Sequence, residues 1–298
     1  MIKLRVPATS ANMGAGFDTL GVAVGLYNRM MIEEIPEGLE VINKNTQSFI
    51  PQDTSNLIYR AMAELFDYIG YEKKGYRITQ DSQIPMTRGL GSSSACIIGG
   101  MLAANIISGR QLSYQKIIHL AAKMEGHPDN VGAALFGGFC VSLMDDDKTI
   151  IKSTKLKSHI KFAVIIPDFF VATKKSRGVL PSKIDFKDAV FNVGHASMFQ
   201  AAMLTCDMKA LEIGVKDKLH QQYRKSYVDG MEDIFEKTYH LGSHATYLSG
   251  SGPTILSILD GNYDGFKAGM EEYFKTNGLE WKCMILPIDN VGAVVSEI

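Results

Sequence analysis

One short string, residues 84–95, constrains this chain more than any other. Gly89 and Gly91 flank Leu90, then come Ser92, Ser93 and Ser94, then a long run of small and aliphatic residues. Ahead of the string, residues 75–80 alternate as a strand does, with Tyr76 and Ile78 on one face. Behind it, Ala95, Ile97, Ile98, Met101, Leu102 and Ile106 recur at the spacing of a buried helix over about 93–107. Ser92 or Ser93 could cap that helix. The predicted order is strand, glycine-rich loop, helix N-terminus. The first turn of a helix carries free N–H groups and a partial positive charge, and glycines let an anion approach the backbone. The dipole contributes only about 0.3–1 kcal/mol, so a tight anion site needs converging N–H donors and hydroxyls as well. Two known phosphate loops are excluded: no Lys follows Gly91, and Ser94 stands where a dinucleotide fingerprint needs its third Gly. Read alone, the string fits a plain turn before a core helix equally well.

The rest of the chain leaves room for such a site and removes other functions. At 298 residues, one large or two medium domains are expected. A formal charge of −1 gives no electrostatic footing for nucleic acid or a membrane surface. No apolar run reaches membrane-spanning length, and the N-terminal residues have no signal-like apolar core. Cys96, Cys140, Cys206 and Cys283 lie far apart without metal-ligand spacing, which reads as reduced thiols in a cytosolic protein.

In chain order, residues 2–7 alternate as a strand with Ile2, Leu4 and Val6 on one face. Residues 7–21 are then a loop of small and polar residues holding Asn12 and Asp18. Strand character resumes over 22–35 and 39–44. A helix follows residues 53–56, with an apolar stripe from Leu57 to Ile69 and Asn56 at its start, where a capping role is the plain reading. Residues 112–126 form another amphipathic helix with Ser113 near its start. Glu125, His127, Asp129 and Asn130 crowd its far end, and a carboxylate there opposes the helix dipole. Such a placement calls for a compensating partner, which a bound cation would supply, although a solvated polar turn is the alternative. Residues 137–143 return to a strand, and Asp145–Asp147 read as a hairpin tip. Beyond residue 161 the order strand, helix, strand, strand, helix, strand suggests a split βαβ arrangement, an antiparallel sheet with helices on one face. His119, His195, His220, His240 and His244 show no metal-ligand pairing and read as ordinary.

Residues 7–18, 85–95 and 248–254 occur in an order and at separations that resemble the three signature motifs of the GHMP kinases. That family includes galactokinase, homoserine kinase, mevalonate kinase and phosphomevalonate kinase. The first loop and residues 126–131 look most like the homoserine kinase branch, and the resemblance spans essentially the whole chain. It implies an α+β, two-domain fold. Residues 1–152 would form the ATP-binding, ribosomal S5 domain 2-like domain, and residues 153–298 a ferredoxin-like split βαβ domain. It also implies transfer of the ATP γ-phosphoryl group to the side-chain hydroxyl of L-homoserine, with Mg²⁺, in the threonine biosynthesis of the cytoplasm. Pro85, Met86, Thr87, Arg88, Gly89, Leu90, Gly91, Ser92, Ser93, Ser94 and Ala95 would wrap the ATP phosphates, with Asn56 near the adenine. Ser93 and Glu125 would hold Mg²⁺. Asn12, Asp18, His127, Asn130, Arg177 and Arg224 would face homoserine, with Asp129, Asn130 and Arg177 nearest the chemistry. An anion for the ammonium (Asp18) and a cationic fork for the carboxylate (Arg177, Arg224) suit an amino acid.

There are two departures. Ser94 stands where many relatives have Ala. Asn130 stands where several have an Asp that acts as base, and an amide cannot take a proton. Phosphoryl transfer demands mostly positioning and charge neutralisation, so no side chain is expected to be an obligatory base. Other acceptors, such as mevalonate or shikimate, and a non-catalytic sensor are the competing readings. Oligomeric state is not legible in the sequence; a homodimer is compatible with it.

Overall fold

A computed structural model describes residues 1–45 and 49–297. Strand β1 (Ile2–Ala11) runs antiparallel to the long β2 (Leu20–Ile35), with Ile2, Leu4 and Val6 buried as their alternation requires. The first strand therefore continues four residues into the stretch expected to be loop. β3 (Leu39–Asn43) lies parallel to β4 (Gly75–Ser82), and β4 pairs with β2. Between them, α1 (Leu57–Ile69) begins at Asn56, whose Oδ1 accepts from the N–H groups of Ile58 and Tyr59. That is an ordinary N-cap.

Helix α2 (Ser92–Ile107) is apolar all round and buried nearly throughout, as a central helix must be. Neither Ser92 nor Ser93 caps it. The N-cap is Gly91, in the left-handed region at φ 66°, and among the described residues no side-chain cap bond is made to the first turn. α3 (Tyr114–Glu125) starts at Ser113, which does cap it, and ends at Gly126. A short α4 (Asp129–Phe136) follows where only a crowded turn was expected. Its eight residues include Gly132 and two alanines, too little apolar pattern to stand out. β5 (Phe139–Met144) and β6 (Thr149–Thr154) form a hairpin closed by the Asp145 N–H donating to the Lys148 carbonyl. This hairpin extends the first sheet through β2.

The second sheet holds β7 (Lys161–Ile166), β8 (Ala245–Leu248), β9 (Ile255–Leu259) and β10 (Lys282–Pro287) in spatial order β10-β7-β9-β8, antiparallel throughout. That is the split βαβ order. Between β7 and β8 lie α5 (Thr173–Arg177), α6 (Phe186–Thr205), α7 (Met208–Gly214), α8 (Gln221–Arg224) with a 3₁₀ turn after it, and α9 (Met231–His240). α10 (Tyr263–Thr276) precedes β10. Helices cover both faces, not one. Ala163 and Ile165 pack with Ile234, Phe266 and Phe274 of α9 and α10. On the other face, Phe162, Val164 and Tyr247 join Phe199 and Met203 of α6 in the core shared with the first sheet. A last strand, β11 (Val294–Glu297), returns to pair with β1.

Candidate active site

Glycines 89 and 91 place the loop before α2. Both have positive φ, and both are crowded: a Cβ on Gly91 would lie 1.8 Å from Thr9 Oγ1, and one on Gly89 2.3 Å from the Ser249 carbonyl. Glycine thus serves here for conformation and for close approach. The loop is clamped from both sides. Thr9 N–H donates to the Leu90 carbonyl at 3.1 Å, Thr254 N–H to the Arg88 carbonyl at 3.2 Å, and Ser249 Oγ to the Gly89 carbonyl at 2.5 Å. Gly250 N–H also reaches the Ala11 carbonyl at 3.0 Å. The loop after β8 therefore presses the second sheet's end against both earlier motifs. The outcome is a rigid cradle whose helix start carries no side-chain cap, the arrangement that favours an anion.

Ser93 Oγ donates to Glu125 Oε1 at 2.5 Å. The contact joins the N-terminus of α2 to the C-terminus of α3, so the carboxylate that is unfavourable for its own helix sits at the favourable end of another. Beyond it, His127 Nδ1 meets Asp129 Oδ1 at 2.7 Å, and His127 Nε2 lies 3.9 Å from Glu125. Burial disfavours the charged imidazole, but the hydrogen bond to Asp129 and the charges of Asp129, Glu125 and Asp18 outweigh it and raise the His127 pKa. Asp129 Oδ1 also accepts from the Asn130 N–H at 2.7 Å, and Asp129 is 1% exposed. Asn130 Oδ1 accepts from Thr9 Oγ1 at 2.7 Å, which turns its Nδ2 toward Asp129.

At the far end of the cleft, Arg177 makes a two-pronged contact with Asp18, at 3.0 and 2.5 Å. Asn12 holds Asp18 in place: its Oδ1 accepts from the Asp18 N–H at 3.0 Å while its Nδ2 donates to the Gly250 carbonyl at 2.8 Å. Asn12, Met13 and Asp18 all adopt positive φ, a cost that persists only where surroundings over-determine the backbone. Arg224 is 2% exposed. It donates to the Ser176 carbonyl, the Gly250 carbonyl and His220 Nδ1, at 3.2, 2.9 and 3.1 Å, and lies over the Phe17 ring. Its three acceptors are neutral. Burial, with Arg177 nearby, pulls its pKa down to about 10.

A single cleft is lined by Asn12, Asp18, Asn56, residues 85–93, Glu125, His127, Asp129, Asn130, Arg177 and Arg224. The sequence-based candidates are thus brought together, with two exceptions. Ser94 and Ala95 are fully buried behind the helix start and do not line the cleft. Asn56 lines it, but its amide is already engaged by the helix cap and the Pro51 carbonyl. Residues that sequence reasoning passed over also appear. Thr9 fixes Asn130, and Gln80, Ser82 and Cys96 line the cleft with the glycine loop and Asn56. His220, read as ordinary, holds Arg224. Thr9 lies in the first motif and could have been flagged there. His220 gives no local signal, because its partners are distant in sequence.

Residues 56–138 match the family described as GHMP kinases N terminal domain. A homoserine kinase from Clostridium beijerinckii is 44% identical over 298 residues, covering 100% of this chain and 99% of the relative. The chain belongs to the homoserine kinase family. A second member, from Caldicellulosiruptor saccharolyticus, is 43% identical over 300 residues, with 100% and 97% covered. The crystal structure of a homoserine kinase from Cytophaga hutchinsonii superposes with a TM-score of 0.88 at 24% identity, over 99% of this chain and 97% of that one, which shows the shared fold. As a kinase of this family the chain has ATP as co-substrate, and no described helix is long and apolar enough to cross a membrane.

Proposed function

We propose that this cleft phosphorylates the side-chain hydroxyl of L-homoserine with ATP, giving O-phospho-L-homoserine for threonine biosynthesis. The observation that carries the reading is Arg224. It is a buried cation whose hydrogen-bond acceptors among the described residues are neutral, with carboxylates only at longer range, so an incoming carboxylate would complete it. Arg177 differs: its fork is already paired with Asp18. The assignment therefore divides the two arginines. Arg224 takes the substrate carboxylate, while Asp18, steadied by Arg177 and Asn12, faces the ammonium.

The nucleotide lies along the glycine loop. Its phosphates take the uncapped N–H groups of the α2 first turn, and its base lies toward Asn56. Ser93 and Glu125 are already in contact and fit Mg²⁺, which is commonly held by one or two protein oxygens with phosphates and waters completing the shell. No group of three or more His, Cys, Asp or Glu suited to a metal occurs among the described residues, which suits an ion arriving with its nucleotide. When bound, Mg²⁺ supplies charge neutralisation for the transferring group. Asp129 Oδ1 is committed to His127 and the Asn130 N–H, and Asn130 can only donate through Nδ2. These residues orient the acceptor hydroxyl; its proton leaves to the phosphate or to solvent.

Residues 1–152 and 153–298 are the two units expected here; the first sheet runs on through β6 to Thr154 and takes β11 back onto β1, and the second sheet begins at Lys161. The free cysteines, three of them buried, suit a cytoplasmic setting. The test is a coupled assay of ADP release with Mg-ATP and L-homoserine, mevalonate or shikimate. Turnover on homoserine is expected. Turnover on either of the others in its place would overturn the acceptor assignment.

A further inference from the structure

We propose that His220 is a positioning residue: with its proton on Nε2, it aims Arg224 at the acceptor's carboxylate and ties it to the loop that carries Asn12 and Asp18. The inference rests on the reading of Arg224 as the carboxylate partner. A guanidinium can only donate and a backbone carbonyl can only accept. The Arg224 Nη1 contact at 3.1 Å therefore requires a lone pair on Nδ1, and the Gly14 carbonyl at 2.9 Å requires a hydrogen on Nε2. One tautomer alone satisfies both bonds. A proton on each nitrogen would set an N–H against a guanidinium N–H in a fully buried place.

Every element packed against His220 holds it in that form or supports the loop it grips. From the β1–β2 loop come Gly14 and the Phe17 ring, tilted 32° at 5.4 Å between centroids, with the Asp18 charge beyond. From α8 comes Arg224. From the turn before α8 comes Asp217, whose side chain is fully buried and whose Oδ2 is 3.7 Å from Nε2. Asp217 is itself fixed by the N–H groups of Leu219, His220 and Gln221 and by Asn192 Nδ2 of α6. Asn192 also donates to the Ala15 carbonyl of the same loop. The network thus runs from α6 through Asp217 and His220 to Arg224, and touches the first-motif loop twice. Burial lowers the His220 pKa below its usual 6.5; Asp217 opposes and Arg224 reinforces the shift.

The test is steady-state kinetics on His220→Ala, His220→Asn, Arg224→Ala and the double variant His220→Ala/Arg224→Ala, with melting curves to verify folding. His220→Ala is expected to raise the homoserine KM about tenfold, the scale of one charge-assisted hydrogen bond, while the ATP KM stays. The double variant is expected to match Arg224→Ala, because His220 acts through that arginine. His220→Asn keeps an acceptor near the Nδ1 position and is expected to recover part of the loss, and it carries the test if the alanine variant fails to fold. In the unsubstituted enzyme the homoserine KM is expected to climb only at a pH below the ordinary histidine range, where the lowered His220 pKa is crossed, and this acid limb is expected to vanish in His220→Asn. If Arg224→Ala raises the homoserine KM but neither His220 variant does, or if the two losses multiply, the positioning role is wrong. If Arg224→Ala itself leaves the KM unchanged, the underlying substrate reading fails instead.

Discussion

The two ends of the cleft are built from different materials. The end assigned to the nucleotide is backbone: left-handed Gly89 and Gly91, an uncapped helix start, and carbonyls clamped by Thr9, Ser249 and Thr254. The end assigned to the acceptor is side chain: Asp18 against Arg177, and Arg224 held by His220 and two carbonyls. Backbone N–H groups recognise phosphate whatever it is attached to, which suits a shared co-substrate. A constellation of opposite charges at fixed spacing discriminates between small molecules, which suits the specific one. Substitutions should therefore act differently at the two ends: through main-chain geometry at one, through single charges at the other.

The comparison can be broken most severely at Gly91. Gly91→Ala places a Cβ 1.8 Å from Thr9 Oγ1 on a residue at φ 66°. Backbone strain and overpacking together amount to roughly 2–6 kcal/mol. Loss of most activity and a much lower denaturation midpoint are expected, and a stable, active variant would show that the loop is not held as described. Next is Glu125→Gln, where loss of one charged metal oxygen is expected to lower kcat by about 100-fold or more. A normal rate across a magnesium titration would contradict the metal assignment.

At the acceptor end the effects should be smaller and more selective. Arg224→Ala is expected to raise the homoserine KM by about 10- to 100-fold, from roughly 1.5–3 kcal/mol of charge-assisted bonding, with the ATP KM little changed. Asp129→Asn is expected to cost less than about tenfold in kcat, because a true general base is worth about 10²–10⁴. Abolished turnover with homoserine binding intact would restore Asp129 as a base. The smallest change is back at the nucleotide end. Ser94 Oγ is buried without a partner among the described residues, so Ser94→Ala should leave activity unchanged and stability equal or higher by about 1 kcal/mol. A marked loss of ATP binding would mean that this hydroxyl reaches the phosphates after all.

The same contrast explains what could be read from sequence. The loop and its helix were legible because strand, glycines, serines and apolar run are contiguous, and local spacing encodes local geometry. Glu125 was legible as an oddity, a carboxylate at the wrong helix end, and its contact with Ser93 accounts for it. The second sheet's order followed from its element sequence, but the cover on its other face did not. α6 carries exposed Val190 and Val193 as well as buried Phe199 and Met203, so its pattern does not announce which side is covered. The acceptor end was legible only through the family resemblance. Its residues come from positions 12 to 224, and nothing near His220 in the chain reveals that Gly14 and Arg224 will meet across it. Pairing between Asp18 and Arg177 was likewise invisible, since each was assigned to a substrate group.

The most direct test of the two-ended cleft is a crystal structure with a non-hydrolysable Mg-ATP analogue and homoserine bound together. The triphosphate is expected along residues 89–93 with its metal between Ser93 and Glu125, and the homoserine carboxylate on Arg224. A triphosphate lodged away from the α2 N-terminus, or a homoserine carboxylate turned from Arg224, would contradict the account.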